Sequence, residues 1–131
     1  MRRVILGAVA LWSSAAAAHG TQEACLALDG AVIVTEEGKY LGRVANKYDS
    51  DSIFNLYGTY GSRYSSDSIW NDYGLFGSAY SNTSARSQYA SDPPFIVKER
   101  QILGRLTTNK YLSGAINPIT LGVVCYDYEP D

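Results

Sequence analysis

One phrase recurs at a fixed interval, and that recurrence limits the folds open to this chain. Asp51-Ser52-Ile53-Phe54-Asn55-Leu56-Tyr57-Gly58 returns as Asp67-Ser68-Ile69-Trp70-Asn71-Asp72-Tyr73-Gly74, then in worn form as Thr83-Ser84-Ala85-Arg86-Ser87-Gln88-Tyr89-Ala90. The linkers match as well: Tyr60-Gly61-Ser62-Arg63-Tyr64-Ser65 answers Phe76-Gly77-Ser78-Ala79-Tyr80-Ser81. Every partner lies 16 positions on, as from 51 to 67 to 83. A fixed period of this kind marks a supersecondary unit that buries its apolar side only against its neighbours. Each copy carries the marks of a short capped helical turn. Asp49, Ser65 and Ser81 stand at the N-cap, Ser52, Ser68 and Ser84 three residues later, and Gly58 and Gly74 at the stop. So short a helix must dock to persist. The expected packing comes from Ile53, Ile69 and Ala85 with Tyr48, Tyr64, Tyr80, Tyr57, Tyr73 and Tyr89, read here as scaffold.

The flanks read as strands. Apolar runs at Cys25–Leu28 and Ala31–Thr35 border Asp29-Gly30, a favoured hairpin turn, and Tyr40–Val44 alternates after a second turn at Glu36–Lys39. After Asp92-Pro93-Pro94, the segment Phe95–Leu106 aligns without gaps on Ile33–Val44, both carrying Leu-Gly-Arg and then an aliphatic residue. With one insertion the match runs on through Tyr48/Tyr111 to Ile53/Ile116. The expected fold is α+β and β-rich. Antiparallel hairpins at 24–44 and 95–107 come from two duplicated segments, the repeats 48–91 pack on them as capped helical turns, and 119–126 forms a C-terminal strand.

Residues 1–18 read as a signal peptide. Arg2 and Arg3 precede the apolar run Val4–Trp12 and a small-residue tract ending at Ala18. The run is too short to span a bilayer, which takes about 20 residues, and nothing later is more apolar. Residues 19–131 then form a single small secreted domain with nine Lys/Arg against thirteen Asp/Glu, a net charge of about −4. No basic cluster is present to contact phosphates, which excludes a nucleic-acid partner. Cys25 and Cys125 lack Cys-x-x-Cys spacing, and in an oxidising compartment the pair implies one structural disulfide. The expected location is secreted or periplasmic, in a bacterium.

His19 is the sole histidine, and cleavage after Ala18 would place it at the mature N-terminus; without an internal histidine, a Ser-His-Asp or Cys-His catalytic arrangement and a multi-histidine metal site are not expected. Asp49-Ser50-Asp51 opens like a calcium loop, but Ile53 and Phe54 stand where a ligand and a glycine are required. No phosphate-binding loop is present either. These absences point away from an enzyme and imply no cofactor and no metal. Aromatics at positions that vary between copies remain. Trp70, Phe54, Tyr60 and Phe76, with Asn71 beside them, are the candidate ligand contacts, an aromatic platform with polar neighbours suited to a sugar ring.

The string Tyr-Gly-x-Tyr-Gly-Ser-x-Tyr-Ser-x-Asp-Ser-Ile-x-Asn, entered from Tyr-Leu-Gly-x-Leu-x-x-Asn-x-Tyr, resembles a pattern in uncharacterised secreted bacterial proteins. The resemblance covers roughly Gly38 to Ile116 and departs in the third copy, at Arg86, Ser87 and Ala90. It implies export and carries no known activity. The expected function is non-enzymatic binding of an envelope or extracellular glycan. The alternative is a structural or protein-interaction module of the envelope, with a small hydrolase as a distant third.

Overall fold

The structure, a computed structural model, describes residues 20–130; the signal read over 1–18 and His19 lie outside the described residues. Its elements are helix α1 (20–28), strands β1 (Val32–Val34), β2 (Tyr40–Arg43), β3 (Phe95–Lys98), β4 (Gln101–Leu106) and β5 (Ala115–Ile116), and helix α2 (Pro118–Tyr126). The five strands form one mixed sheet in the order β2-β1-β3-β4-β5. The fold is a small α+β, β-rich one.

The hairpin expected at 95–107 forms, and of the strands read over 24–44 the second and third pair. β1 pairs with β2 and β3 with β4, and the hairpins meet through antiparallel β1 and β3, with Ile33 opposite Ile96 and Val34 opposite Phe95. The chain leaving each outer strand doubles back beside it. After β2 the Arg43 N–H donates to the Asp51 carbonyl and the Ile53 N–H to the Arg43 carbonyl, at 2.9 and 3.0 Å. After β4 the Arg105 N–H donates to the Gly114 carbonyl, and β5 runs parallel to β4. Both outer strands are thus partly covered, which limits the unpaired backbone open to another chain.

The two ends of the chain correct the strand reading. Residues 24–28 lie in α1, because Gln22, Glu23, Ala24, Leu26, Ala27 and Leu28 are good helix formers. Asp29-Gly30 stops that helix instead of turning a hairpin: the Asp29 N–H donates to the Cys25 carbonyl, and Gly30 holds φ 82°. Residues 119–126 lie in α2 despite their β-branched composition. Asn117 caps it, its side chain accepting from Ile119 N and Thr120 N at 2.8 and 3.3 Å, with Pro118 in the first turn. Gly122 lets the helix settle on the core, since a Cβ there would fall 2.7 Å from the Phe54 ring. A Cys25–Cys125 disulfide joins the two helices across a separation of 100 residues. Closing so long a loop contributes about 4–5 kcal/mol in the chain-entropy model.

Residues 46–90 are turns, not capped helices. The main-chain bonds run three residues back: Ser52 N–H to Asp49 carbonyl, Asn55 to Ser52 and Gly58 to Asn55, then Ser68 to Ser65, Asn71 to Ser68 and Gly74 to Asn71, all at 3.0–3.4 Å. A hydrogen-bonding side chain opens most of these steps and accepts the N–H two residues on, as Ser52 does from Phe54, Ser68 from Trp70 and Ser84 from Arg86 at 2.9–3.0 Å. Asp49, expected as an N-cap, accepts from Asp51 in the same way. Ser, Asn and Asp compete with the helical ladder by offering the backbone a local partner. Placed at every third position, they restart the turn, and bonds to the fourth residue back close at the glycines between these runs, from Ser62 N–H to the Gly58 carbonyl and from Ser78 N–H to the Gly74 carbonyl.

This ribbon of turns lies on the sheet through Ser52, Ser68 and Ser84 and through Ile53, Ile69 and Ala85, all fully buried. The aliphatic members join Ile33, Leu41, Ile96 and Leu106 in one apolar cluster. Burying each isoleucine contributes about 1.5–3 kcal/mol. Among the described residues no helix is long and apolar enough to cross a membrane.

Candidate functional site

The residues expected to meet a ligand face inward. Phe54 is 1 % exposed, Trp70 5 % and Phe76 9 %. Phe54 stacks on Tyr126 at 5.2 Å between ring centroids, and Trp70 on Tyr128 at 4.8 Å. Tyr60 is half-buried, its ring edge-on to Tyr40 at 5.1 Å. Both ends of the half-buried Asn71 amide are engaged, Nδ2 donating to the Ser65 carbonyl and Oδ1 accepting from Tyr73 N. The aromatic platform read over Trp70, Phe54, Tyr60 and Phe76 is therefore core, and position 54/70/86 is a staple between copies. The Trp70 indole donates to the Ile53 carbonyl, and the Arg86 guanidinium Nε donates to the Ile69 carbonyl at 2.8 Å. Arg86 also lies 5.7 Å from the Trp70 ring centroid and pairs with Asp72.

The tyrosines read as scaffold are the exposed surface. Tyr48, Tyr64 and Tyr80 are 84, 93 and 95 % exposed, and Tyr57, Tyr73 and Tyr89 are 98, 98 and 82 % exposed. Tyr111, which aligns with Tyr48, is 82 % exposed. The same local device sets each of them. Asn46, Ser62 and Ser78 accept the N–H of Tyr48, Tyr64 and Tyr80 at 2.9–3.1 Å. Asn55, Asn71, Ser87 and Asn109 do so for Tyr57, Tyr73, Tyr89 and Tyr111 at 3.0–3.4 Å. Each ring thus leaves the ribbon two residues after a turn-opening side chain, from main chain tied on both sides. A ring on tied main chain loses little further entropy when it meets a partner, and its body and hydroxyl together suit an amphipathic one.

The spacing that places these rings is visible in the sequence as Ser or Asn two positions before each tyrosine. Periodic tyrosines among aliphatics suggested packing, and the turn geometry turns them outward instead. Two other tyrosines, Tyr40 and Tyr126, are half-buried and donate to carboxylates. Burial, with the hydrogen bond Tyr40 donates to Asp51 at 2.9 Å, pushes the Tyr40 phenol up to about 12. Burial and a bond to Asp29 raise Tyr126 further. Asp49 is held below the usual carboxylate range, first by the bond it accepts from the Asp51 N–H and then by Arg43. Among the described residues no three His, Cys, Asp or Glu side chains converge on a point where a metal ion could sit.

Fold and surface together define a small disulfide-linked α+β protein with outward tyrosines on a ribbon of turns. Compared with known proteins, the chain matches no family profile, no curated protein and no solved structure.

Proposed function

We propose that this is an exported, non-enzymatic bacterial protein whose tyrosine-bearing ribbon binds an envelope or extracellular glycan. The observation that carries the reading is the exposure of Tyr48, Tyr57, Tyr64, Tyr73, Tyr80 and Tyr89 at matching turn positions. Large apolar surface exposed in one region marks an interaction site more often than chance. A flat ring stacks on the apolar face of a pyranose, and the phenol hydroxyl exchanges hydrogen bonds with its hydroxyl groups. Export is supported by the charged start and apolar run of residues 2–12 and by the disulfide. The non-enzymatic reading is supported by the absence of any histidine from residues 20–131, which leaves that stretch without a histidine base to activate a nucleophile.

The same reading takes the two hairpin-and-turn units to be products of one duplication. Support comes from equivalent bonds at aligned positions: Arg43 N–H to Asp51 carbonyl corresponds to Arg105 N–H to Gly114 carbonyl. The β1–β3 register agrees, since the Ile33–Ile96 and Val34–Phe95 pairs exchange under the alignment of Ile33 with Phe95.

A second reading, a structural or protein-interaction module, is favoured by Leu56 and Leu75, which are 47 and 68 % exposed among the tyrosines. One experiment separates the two. Residues 19–131 are passed over insoluble chitin, cellulose and peptidoglycan, alongside Tyr64→Ala/Tyr80→Ala and Tyr73→Ala/Tyr89→Ala variants, with light scattering on the same samples. Retention on a glycan that both variants weaken supports glycan binding. Oligomers that the variants dissolve, with no retention on any glycan, support the interaction module.

A further inference from the structure

We infer that the groove between the first turn copy and the C-terminal segment is a subsite for one ring of an uncharged glycan. This inference rests on the glycan reading and gives it a defined place. The groove has a volume of about 720 Å³, within the roughly 300–1,000 Å³ typical of small-ligand sites. Tyr48 and Tyr57 line it, and they are also the first of the exposed tyrosines along the ribbon. A polymer lying on the later tyrosines could therefore continue into the groove. Its aromatic floor is Phe54 stacked on Tyr126, with Tyr128 tilted against Phe54 at 5.3 Å.

The charges at the groove select the ligand. Lys47, Asp127 and Glu129 line it. Asp127 and Glu129 form no ion pair among the described residues, and Lys47 rests only over the Tyr48 ring at 5.6 Å. A wholly apolar partner would cover three charges without pairing them, which is costly. A simple anion meets two carboxylates, and a simple cation pairs with the carboxylates but leaves the ammonium unmatched and repelled. A neutral polyhydroxyl ring satisfies both: its hydroxyl groups donate to Asp127 and Glu129 and accept from Lys47, while its apolar face rests on Tyr57 or Tyr48. Charge-assisted bonds of this kind orient a sugar ring without requiring the sugar to be charged.

The site is reached by isothermal titration of residues 19–131 with chitotetraose, cellotetraose and maltotetraose, and with tetragalacturonate and phosphocholine as charged probes. The test variant is Asp127→Asn/Glu129→Gln, chosen because Asn tolerates the left-handed backbone of Asp127, φ 54°. Circular dichroism verifies its fold. One neutral tetrasaccharide is expected to bind, with affinity reduced about tenfold in that variant. Tighter binding of tetragalacturonate or phosphocholine than of any neutral sugar overturns the inference, as does a neutral-sugar affinity untouched by Asp127→Asn/Glu129→Gln. Absence of tetrasaccharide binding, with polymer retention still dependent on Tyr64 and Tyr80, removes the groove subsite and leaves the glycan reading standing. Absence of both removes both.

Discussion

The indole N–H of Trp70 donates to the main-chain carbonyl of Ile53, 17 residues earlier, and so ties one copy of the turn ribbon to the next. Arg86 repeats the bond to Ile69 across the same interval with its Nε. Side chains as unlike as indole and guanidinium share this position because both present an N–H at the end of a flat group. Phe54, which has no such donor, stands at the start of the ribbon, where no earlier copy needs tying.

Trp70→Phe keeps an aromatic ring, smaller than the indole, and deletes the donor. The Ile53 carbonyl then loses this partner inside the core, and the expected loss of stability is about 1–3 kcal/mol. Trp70→Ala adds a cavity, for a total of roughly 3–5 kcal/mol. Urea unfolding followed by far-UV circular dichroism measures both. A Trp70→Phe midpoint equal to that of the parent would show that the bond contributes nothing.

Gly77 and Gly74 differ in what a methyl group would meet. At Gly77 a Cβ falls 2.4 Å from the Asn71 carbonyl oxygen and 2.7 Å from that of Ile69, both main-chain atoms of the ribbon. At Gly74 the nearest atom is the Asn71 Cβ at 3.4 Å, an ordinary contact. Gly77→Ala should therefore cost about 3 kcal/mol or more by overpacking, and Gly74→Ala less than about 1 kcal/mol. Thermal unfolding of the pair checks this, and equal melting temperatures would refute the packing argument.

The β3–β4 hairpin turns on Glu99 and Arg100, both in the left-handed region at φ 52° and 66°. A two-residue turn of this hand prefers Asn-Gly, since other side chains cost roughly 1 kcal/mol or more there. Glu99→Asn with Arg100→Gly should stabilise the protein by about 1 kcal/mol and raise the melting temperature by roughly 4 °C. Calorimetry reads the shift directly, and a lower melting temperature would mean that the native side chains hold the turn through other contacts.

Tyr40 sets an alkaline limit. Its phenol is raised to about 12 by burial and by Asp51, whereas an unfolded tyrosine ionises near 10. A group raised on folding contributes stability that is complete below the unfolded value and is lost as pH climbs through the folded one. The folded state should therefore weaken between about pH 10 and 12, and Tyr126 acts in the same direction. Tyr40→Phe should lower stability at pH 7 by removing the bond to Asp51, and should flatten the decline above pH 10. Urea midpoints taken every half unit from pH 8 to 12 would show it. Parallel curves for the two proteins would rule Tyr40 out as the cause.

The paired strands were legible because short β-branched apolar runs and alternation beside a turn have few other solutions. That holds for Val32–Arg43 and for Phe95–Leu106, both of which form strands at the expected places. The end segments were harder. Ile119–Val124 has strand composition, and the Asn117-Pro118 start outweighed it once the helix could bury Leu121 and lay Gly122 on Phe54. Cys25–Leu28 had helix-forming neighbours on its N-terminal side, which the Asp29-Gly30 turn signal obscured. In the ribbon the residues read as helix caps open turns instead, because they recur every third position, and this inverts which aromatics lie inside.

What the sequence by itself determined was a period of 16 residues, a pair of hairpins and a pairing of Cys25 with Cys125, because these follow from local pattern and residue chemistry. Only the tertiary structure decided which side of the ribbon meets the sheet. Tyr64 and Trp70 are both large aromatics within one copy, and nothing in their chemistry says which is buried. The sheet accepts Ser68-Ile69-Trp70, since the serine satisfies the main chain and the indole satisfies the Ile53 carbonyl. The opposite side, with no layer to cover it, leaves Tyr64 and Tyr73 in water.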